Sequence, residues 1–170
     1  MSSEEYTQHI SRQFNADLEN IRNHILAMGG MVEKQVPDAV QSLVEADSAL
    51  ATEVIANEKQ INGMELTIDE ECTRLIALRQ PAASDLRLIV AATKANTDLE
   101  RIGDEASKIA KMAIKLAEDG NVPRGYVEVR HIGSHVCTML RNALDAFARF
   151  DVEQALNVVR EDKSVDVEYE

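Results

Sequence analysis

The chain has 170 residues, 45% of them hydrophobic, and its 18 basic and 30 acidic residues give a net charge of −12. This charge disfavours nucleic acid and anionic lipid as partners, because both are polyanions. Seven Gly, three Pro and 4% aromatic residues leave few signals for strands, so the composition indicates an all-α protein with a sizeable core.

The N-terminal segment indicates that the protein stays in the cytoplasm. The segment reads MSSEEYTQHISRQF, with acids where a signal peptide has bases. The chain also lacks an apolar run of about 18 residues, the length that a membrane-spanning helix needs. We therefore expect cytoplasmic localisation and no insertion into a membrane.

The first helical pattern is long. Apolar residues recur at alternating spacings of four and three from Phe14 to about Val44, as in a helix that packs in a bundle. Gly29, Gly30 and Pro37 lie inside this pattern and lower its local helix propensity. We predict one helix, kinked near these residues, rather than two.

Two further helices follow, separated by a proline. Asp47 and Ser48 are candidate caps of the second helix, which is expected to end near Arg79 because Pro81 disfavours helical backbone at the residue before it. Ser84 or Asp85 is expected to cap the third helix. Its predicted core positions are Leu88, Ala92, Ala95, Leu99, Ile102, Ala106, Ile109, Ala113 and Leu116. The three helices are predicted to form an antiparallel bundle.

A turn-rich segment divides the chain. Residues 120–125 read Gly-Asn-Val-Pro-Arg-Gly, the densest turn chemistry in the sequence. We assign residues 1–120 to a first three-helix bundle, and residues 121–170 to a linker and the first part of a second bundle.

The sequence after this segment repeats the beginning of the chain. A shift of 104 positions (133 − 29) superposes Gly29 on Gly133 and Asp47 on Asp151, among other matches, which indicates a tandem duplication. The second copy stops inside its second helix, so we expect the chain to lack a C-terminal part. Loss of a covering helix is expected to favour self-association through exposed apolar residues: Leu140, Leu144, Phe147, Val158 and Val159.

Two pairs of carboxylates stand one helical turn apart. Glu100 and Asp104 share a face of the third helix, and Glu65 and Asp69 share a face of the second. Like charges at this spacing repel each other, and a divalent cation (Mg²⁺, Mn²⁺, Fe²⁺ or Zn²⁺) would relieve the repulsion. The alternative is a solvated acidic face, the commoner outcome of this spacing in an acidic chain.

Glu65 also lies at the edge of the apolar stripe of the second helix, where an unpaired charge is unfavourable. Its partner is either a metal ion or an arginine of a neighbouring helix. The candidate arginines are Arg79, Arg87 and Arg101.

The histidines and cysteines are weaker candidates for a metal-binding site. His131 and His135 stand four apart near Cys137, and a single Glu-x-x-His element ends at His131. A ferritin-like or di-metal bundle, the alternative function, needs two such elements. Cys72 and Cys137 are interpreted as small buried hydrophobes. We find no nucleophile elbow or phosphate-binding loop, so we predict no catalytic or cofactor-binding residue.

Three segments resemble a known family. Residues 62–69 read Asn-Gly-Met-Glu-Leu-Thr-Ile-Asp, residues 79–87 read Arg-Gln-Pro-Ala-Ala-Ser-Asp-Leu-Arg, and residues 98–104 read Asp-Leu-Glu-Arg-Ile-Gly-Asp. Together they are similar to the signature of the PhoU family, and the resemblance extends along the whole chain. It implies two three-helix bundles in tandem. In some relatives these bundles bind surface metal ions, at positions that are here Glu65, Asp69, Glu100 and Asp104.

The resemblance also implies a function. Such a protein restrains the phosphate-starvation response, and phosphate uptake, when phosphate is plentiful. It acts as an adaptor without enzymatic activity, contacting the ATPase subunit of a phosphate ABC importer and a phosphate-sensing histidine kinase. We expect a homodimer.

Overall fold

The computed structural model describes residues 3–120 and 127–169, with the side chains of residues 12–120 and 127–163. Within these ranges the chain forms five helices and no strand: α1 (Ser3–Glu45), α2 (Ser48–Arg79), α3 (Ala83–Glu118), α4 (Val127–Arg149) and α5 (Val152–Tyr169). The all-α prediction is confirmed. Residues 121–125 of the proposed turn-rich linker lie outside the described residues, and the domain boundary placed there stays a prediction.

Helix α1 is a single helix of 43 residues that contains Pro37, as predicted. It begins at Ser3 rather than near Phe14. The apolar stripe marks the part of a helix that packs, whereas each residue added to an existing helix gains one more backbone hydrogen bond. The helix therefore extends beyond its packed part.

The predicted bounds of α2 are confirmed. The carboxylate of Asp47 accepts hydrogen bonds from the backbone N–H groups of Ala49 and Leu50, both at 3.0 Å, and so caps the helix. The helix ends at Arg79, and Gln80 follows in the left-handed region at φ 45°. This conformation reverses the chain ahead of Pro81.

The predicted caps of α3 are wrong. Ala82 precedes the helix without a side-chain cap, and its carbonyl accepts the first helical hydrogen bond from Leu86 N–H at 2.9 Å. Ser84 and Asp85 therefore lie in the first turn. There Asp85 still places a negative charge near the helix N-terminus, which is favourable.

The core lies between α1, α2 and α3, each of which contacts the other two. This arrangement confirms the predicted bundle. Its largest fully buried side chains are Ile25, Met28, Ile61, Ile68 and Ile89.

The buried face of α3 differs in part from the predicted one. Leu88 is 48% exposed, and its neighbour Ile89 is fully buried instead. The buried face includes Asn96, Gly103 and Ser107. Because small and polar residues occupy part of this face, the apolar residues alone do not mark it, and the predicted stripe is displaced from it.

Helix α4 packs antiparallel to α1, and α5 packs on α4. Gly29 of α1 faces Leu144 of α4, and Gly133 of α4 faces Val40 of α1. A shift of 104 positions (133 − 29) relates Gly29 to Gly133 and also Val40 to Leu144. The α1–α4 contact therefore has approximate two-fold symmetry.

The turn that joins α1 to α2 and the turn that joins α4 to α5 share one geometry. Ala46 and Phe150, equivalent under the shift, have φ values of 55° and 54°. The next residue in each turn is an aspartate that caps the following helix, as Asp47 does for α2. Asp151 accepts a hydrogen bond from Gln154 N–H at 2.9 Å. These matches confirm the internal repeat.

The expected exposure of the α4 face is wrong for three residues. Leu140 is buried, and Leu144 and Phe147 pack against the main core, because α1 covers this face of α4. On α5, Val159 is 64% exposed, as expected, whereas Val158 is half-buried. Across residues 3–120 and 127–169 none of the helices has a stretch long and apolar enough to cross a bilayer.

Candidate functional site at the α2–α3 seam

Four half-buried acids form a group along the seam between α2 and α3, here called the seam carboxylates: Glu58, Glu65, Glu100 and Asp104. Two hydrogen bonds fix the register of the helices beside them. Asn96 Nδ2 donates to the backbone carbonyl of Glu65 at 2.9 Å, and Ser107 Oγ donates to the Glu58 carboxylate at 2.5 Å. The seam thus holds these acids near one another.

The pKa of Glu100 is raised, first by partial burial and then by the negative charges of Asp104 and Glu65. The repulsion predicted from the one-turn spacing of Glu100 and Asp104 is therefore present. Glu65 adds to it across the seam, a contribution that the sequence of either helix alone does not reveal.

The pKa of Glu58 is lowered, chiefly by the hydrogen bond from Ser107 and further by Lys111, whose Nζ lies 3.3 Å from the carboxylate. The nearby Asp104 side chain also contributes to the lowered pKa of Glu58. Sequence reasoning did not include Glu58 in the site. The available signal was the polar Ser107 at a core-facing position of α3.

None of the ion pairs in the described part of the chain joins Glu65 to the arginines suggested as its partners. Arg79 lies 3.8 Å from Asp17 on α1, and Arg101 lies 3.8 Å from Asp98 one turn away. The helix register thus directs Arg79 and Arg101 to other acids, so neither of them pairs with Glu65 in this structure.

Asp69 does not belong to the group of acids that acts on Glu100, although it stands one helical turn from Glu65 on α2. Its side chain is exposed. Among residues 3–120 and 127–169, no three His, Cys, Asp or Glu side chains are placed to hold one metal ion. The seam brings Glu65, Glu100 and Asp104 within electrostatic reach of one another, but it supplies no complete protein cage. An ion there would need water as additional ligands.

Likewise, His131, His135 and Cys137 do not form a metal-binding group among the described residues. Burial raises the pKa of the Cys137 thiol and of the Cys72 thiol. A raised pKa keeps a thiol protonated and disfavours both metal ligation and nucleophilic attack. The interpretation of Cys72 as a buried hydrophobe is confirmed, whereas Cys137 is only half-buried.

We expect Glu58 to make stability depend on pH. Its pKa is lowered on folding, so its stabilising contribution is present at neutral pH and is lost as the pH falls through the folded-state pKa. Glu58→Gln should therefore lower the Tm at pH 7, and the difference from the parent should shrink towards about pH 3. Thermal melts followed by circular dichroism measure this. Glu53→Gln, at an exposed position of α2, is the control, and a Glu58→Gln difference that stays constant with pH would contradict the assignment.

Comparison with known proteins places the chain in a family. A family model described as the PhoU domain matches residues 25–113 and 129–170. The phosphate-specific transport system accessory protein PhoU homolog of Pseudomonas putida is 63% identical over 169 residues, covering 99% of this chain and 66% of that protein. The protein PhoU of Escherichia coli K12 is 48% identical over 170 residues, covering 100% and 70%.

Solved structures share the fold. The crystal structure of PhoU from Pseudomonas aeruginosa matches with a TM-score of 0.88 and 64% identity, covering 92% of this chain and 75% of that one. The phosphate transport system regulatory protein PhoU from Streptococcus pneumoniae matches with a TM-score of 0.83 and 28% identity. The chain spans 66% and 70% of the lengths of the P. putida and E. coli relatives. With both segments of the PhoU domain matched, this chain belongs to the PhoU family.

Proposed function

We propose that this chain belongs to a phosphate-specific transport system as an accessory protein that regulates phosphate uptake. The observation that carries the proposal is the 63% identity, across 99% of the chain, to a protein bearing that name. The shared fold supports it, since the related P. aeruginosa structure has a TM-score of 0.88. Because the chain spans only about two thirds of such relatives, its activity and partners are part of the proposal.

The proposed mechanism is that of a non-enzymatic adaptor. In the cytoplasm, as a homodimer, it contacts the importer ATPase subunit and a phosphate-sensing histidine kinase, and it restrains the starvation response when phosphate is plentiful. This role is supported by the relatives, which are named as an accessory protein of a phosphate-specific transport system and as a phosphate transport system regulatory protein.

Deletion of the gene is expected to switch on phosphate-scavenging genes in phosphate-rich medium, because the proposed role is restraint. Transcript levels of those genes in the deletion strain, and in the same strain carrying the gene on a plasmid, measure the effect. Unchanged expression on deletion would contradict the regulatory role. A pull-down of the protein against the importer ATPase and the kinase, with and without phosphate, tests the adaptor step separately.

We also propose that a hydrated divalent cation binds between Glu100 and Asp104, one helical turn apart, with the negative charge of Glu65 nearby. The observation in favour is that neighbouring negative charges help to raise the pKa of Glu100. A cation would relieve that repulsion, and carboxylate oxygens suit Mg²⁺ or Mn²⁺. With so few protein ligands, the binding would be weak, and millimolar Mg²⁺ would compete with Mn²⁺ or Fe²⁺.

The cation is expected to raise the Tm of the parent, by an amount that grows once its concentration exceeds the dissociation constant. The double variant Glu100→Gln/Asp104→Asn keeps the side-chain sizes and removes the repulsion. Without metal it should be at least as stable as the parent at neutral pH, and its metal-induced gain should vanish. Calorimetry with and without Mn²⁺ measures both quantities.

The control removes two charges from exposed positions of α2 instead, in Glu53→Gln/Glu70→Gln, and should keep the metal response. A parent without any metal-dependent shift would end the cation proposal and leave the regulatory proposal intact. A response that survives in the seam variant would place the ion elsewhere.

A further inference from the structure

A cavity of about 80 Å³ lies between α1 and α2, near the turn that joins α2 to α3. Its floor is apolar and formed by Ile21 and Leu75, which are 2% and 4% exposed. Arg74 and Leu78 stand at its mouth, both exposed. The volume is enough for the end of one side chain and too small for a helix.

Arg79 lines the cavity with unused hydrogen-bonding capacity. Its guanidinium is 3.8 Å from the nearest Asp17 oxygen, and its Nε is buried without an acceptor. A buried donor of a charged group is unfavourable while it stays unpaired. The other acid of the cavity, Glu71, is already engaged, because its carboxylate lies 2.8 Å from His24 Nδ1. The guanidinium fork matches a carboxylate, and the long 3.8 Å contact with Asp17 leaves the partly exposed guanidinium of Arg79 able to pair with an incoming one.

The cavity lining itself is balanced in charge, with Asp17, Glu71, Arg74 and Arg79, but the segment that continues from it into α3 differs in charge from the rest of the chain. Residues 73–90 carry three arginines and one aspartate, within a protein of net charge −12. This segment also exposes Leu78, Leu86 and Leu88 to 67%, 40% and 48%. A basic, apolar surface on an acidic protein is complementary to an acidic, apolar one.

We propose that the cavity and its mouth dock a segment of a partner protein that presents an Asp or Glu side chain beside an apolar residue. The carboxylate binds Arg79 and Arg74, and the apolar residue packs on Leu78. Free phosphate fits less well, because its second negative charge adds to the repulsion from Asp17 and Glu71 and it has no apolar part to pack on Leu78. The inference does not rest on the proposed function, because it specifies the chemistry of the segment and leaves the partner's identity open.

The test begins with a photo-crosslinking amino acid placed at position 78 of the whole protein in cells. The matched control is position 66, also a leucine of α2 and 63% exposed against 67% for Leu78. We expect crosslinks from position 78 to exceed those from position 66 and to map, by mass spectrometry, within a few residues of an Asp or Glu beside an apolar residue. Equal crosslinking at both positions, or a mapped segment without a carboxylate, would overturn the proposal.

The mapped segment is then made as a labelled peptide and titrated with purified protein. Exchanging its Asp or Glu for the amide should weaken binding by about tenfold. Arg74→Gln and Arg79→Gln should weaken it similarly, whereas Lys59→Gln, at an exposed position on α2, should not. Because Arg79 also faces Asp17, the exposed Arg74 provides the variant least disturbing to the fold. Equal binding of acid and amide peptides, or displacement of the peptide by inorganic phosphate at neutral pH and constant ionic strength, would overturn the docking role.

Discussion

Replacing Ile68 by Ala is expected to lower the free energy of unfolding by about 2–5 kcal/mol. Ile68 is fully buried on α2, in the core shared with α1 and α3. Removing its outer carbons forfeits their burial and leaves a cavity that the packed helices only partly close. Urea denaturation followed by circular dichroism measures the loss.

The matched control for this change lies two residues away. Leu66 is on the same helix and is 63% exposed, so Leu66→Ala should change the stability by less than about 0.5 kcal/mol. Comparable losses for the two variants would mean that α2 does not present this face to the core.

Gly133→Val is expected to weaken the packing of α4 on α1 and to destabilise the protein by about 1–3 kcal/mol. A Cβ at position 133 would lie 3.0 Å from both Cγ atoms of Val40. Valine is stiff at χ1 in a helix, so Val40 has little freedom to turn aside and the helices must move apart. Urea denaturation measures the loss, and faster amide hydrogen exchange in α4 and α5 would locate it.

Gly30→Ala is the control for the helix propensity of glycine. No atom lies within 4 Å of a Cβ built at position 30, so alanine should stabilise α1 by up to about 1 kcal/mol. If Gly133→Val is as stable as the parent while Gly30→Ala is more stable, then α4 does not approach Val40 as closely as the structure shows.

Local chemistry determines much of this fold, and the sequence shows it. Asp47 sets the start of α2 by capping it, and Pro81 sets its end by restricting the residue before it. The 104-position shift predicts the α4–α5 turn from the α1–α2 turn. The predictions for the burial of Leu88 and for the caps of α3 are wrong for a different reason. Which face of a helix is buried depends on its neighbours, and polar or small residues such as Asn96 fill core positions when the packing provides a partner.

The candidate site likewise has features that the sequence predicts and features that depend on how the helices pack. The one-turn repulsion of Glu100 and Asp104 follows from helix geometry alone, and Glu65 was recognised from its position beside the apolar stripe. The bond from Ser107 to Glu58 joins two helices. It depends on their register, which neither helical sequence specifies. The same holds for Leu140, which was expected to be exposed and is covered by α1.

The approximate two-fold symmetry of the α1–α4 contact bears on the origin of the chain. A surface that packs against a copy of itself must be self-complementary, which is the condition met by an isologous dimer. Gly29 facing Leu144 and Gly133 facing Val40 satisfy that condition within one polypeptide. The fusion of two ancestral subunits would produce this arrangement. Their encounter would no longer depend on protein concentration, because tethering makes it intramolecular. The two halves would then be free to diverge, as the exchange of Val40 for Leu144 shows, while both glycines keep the helices close.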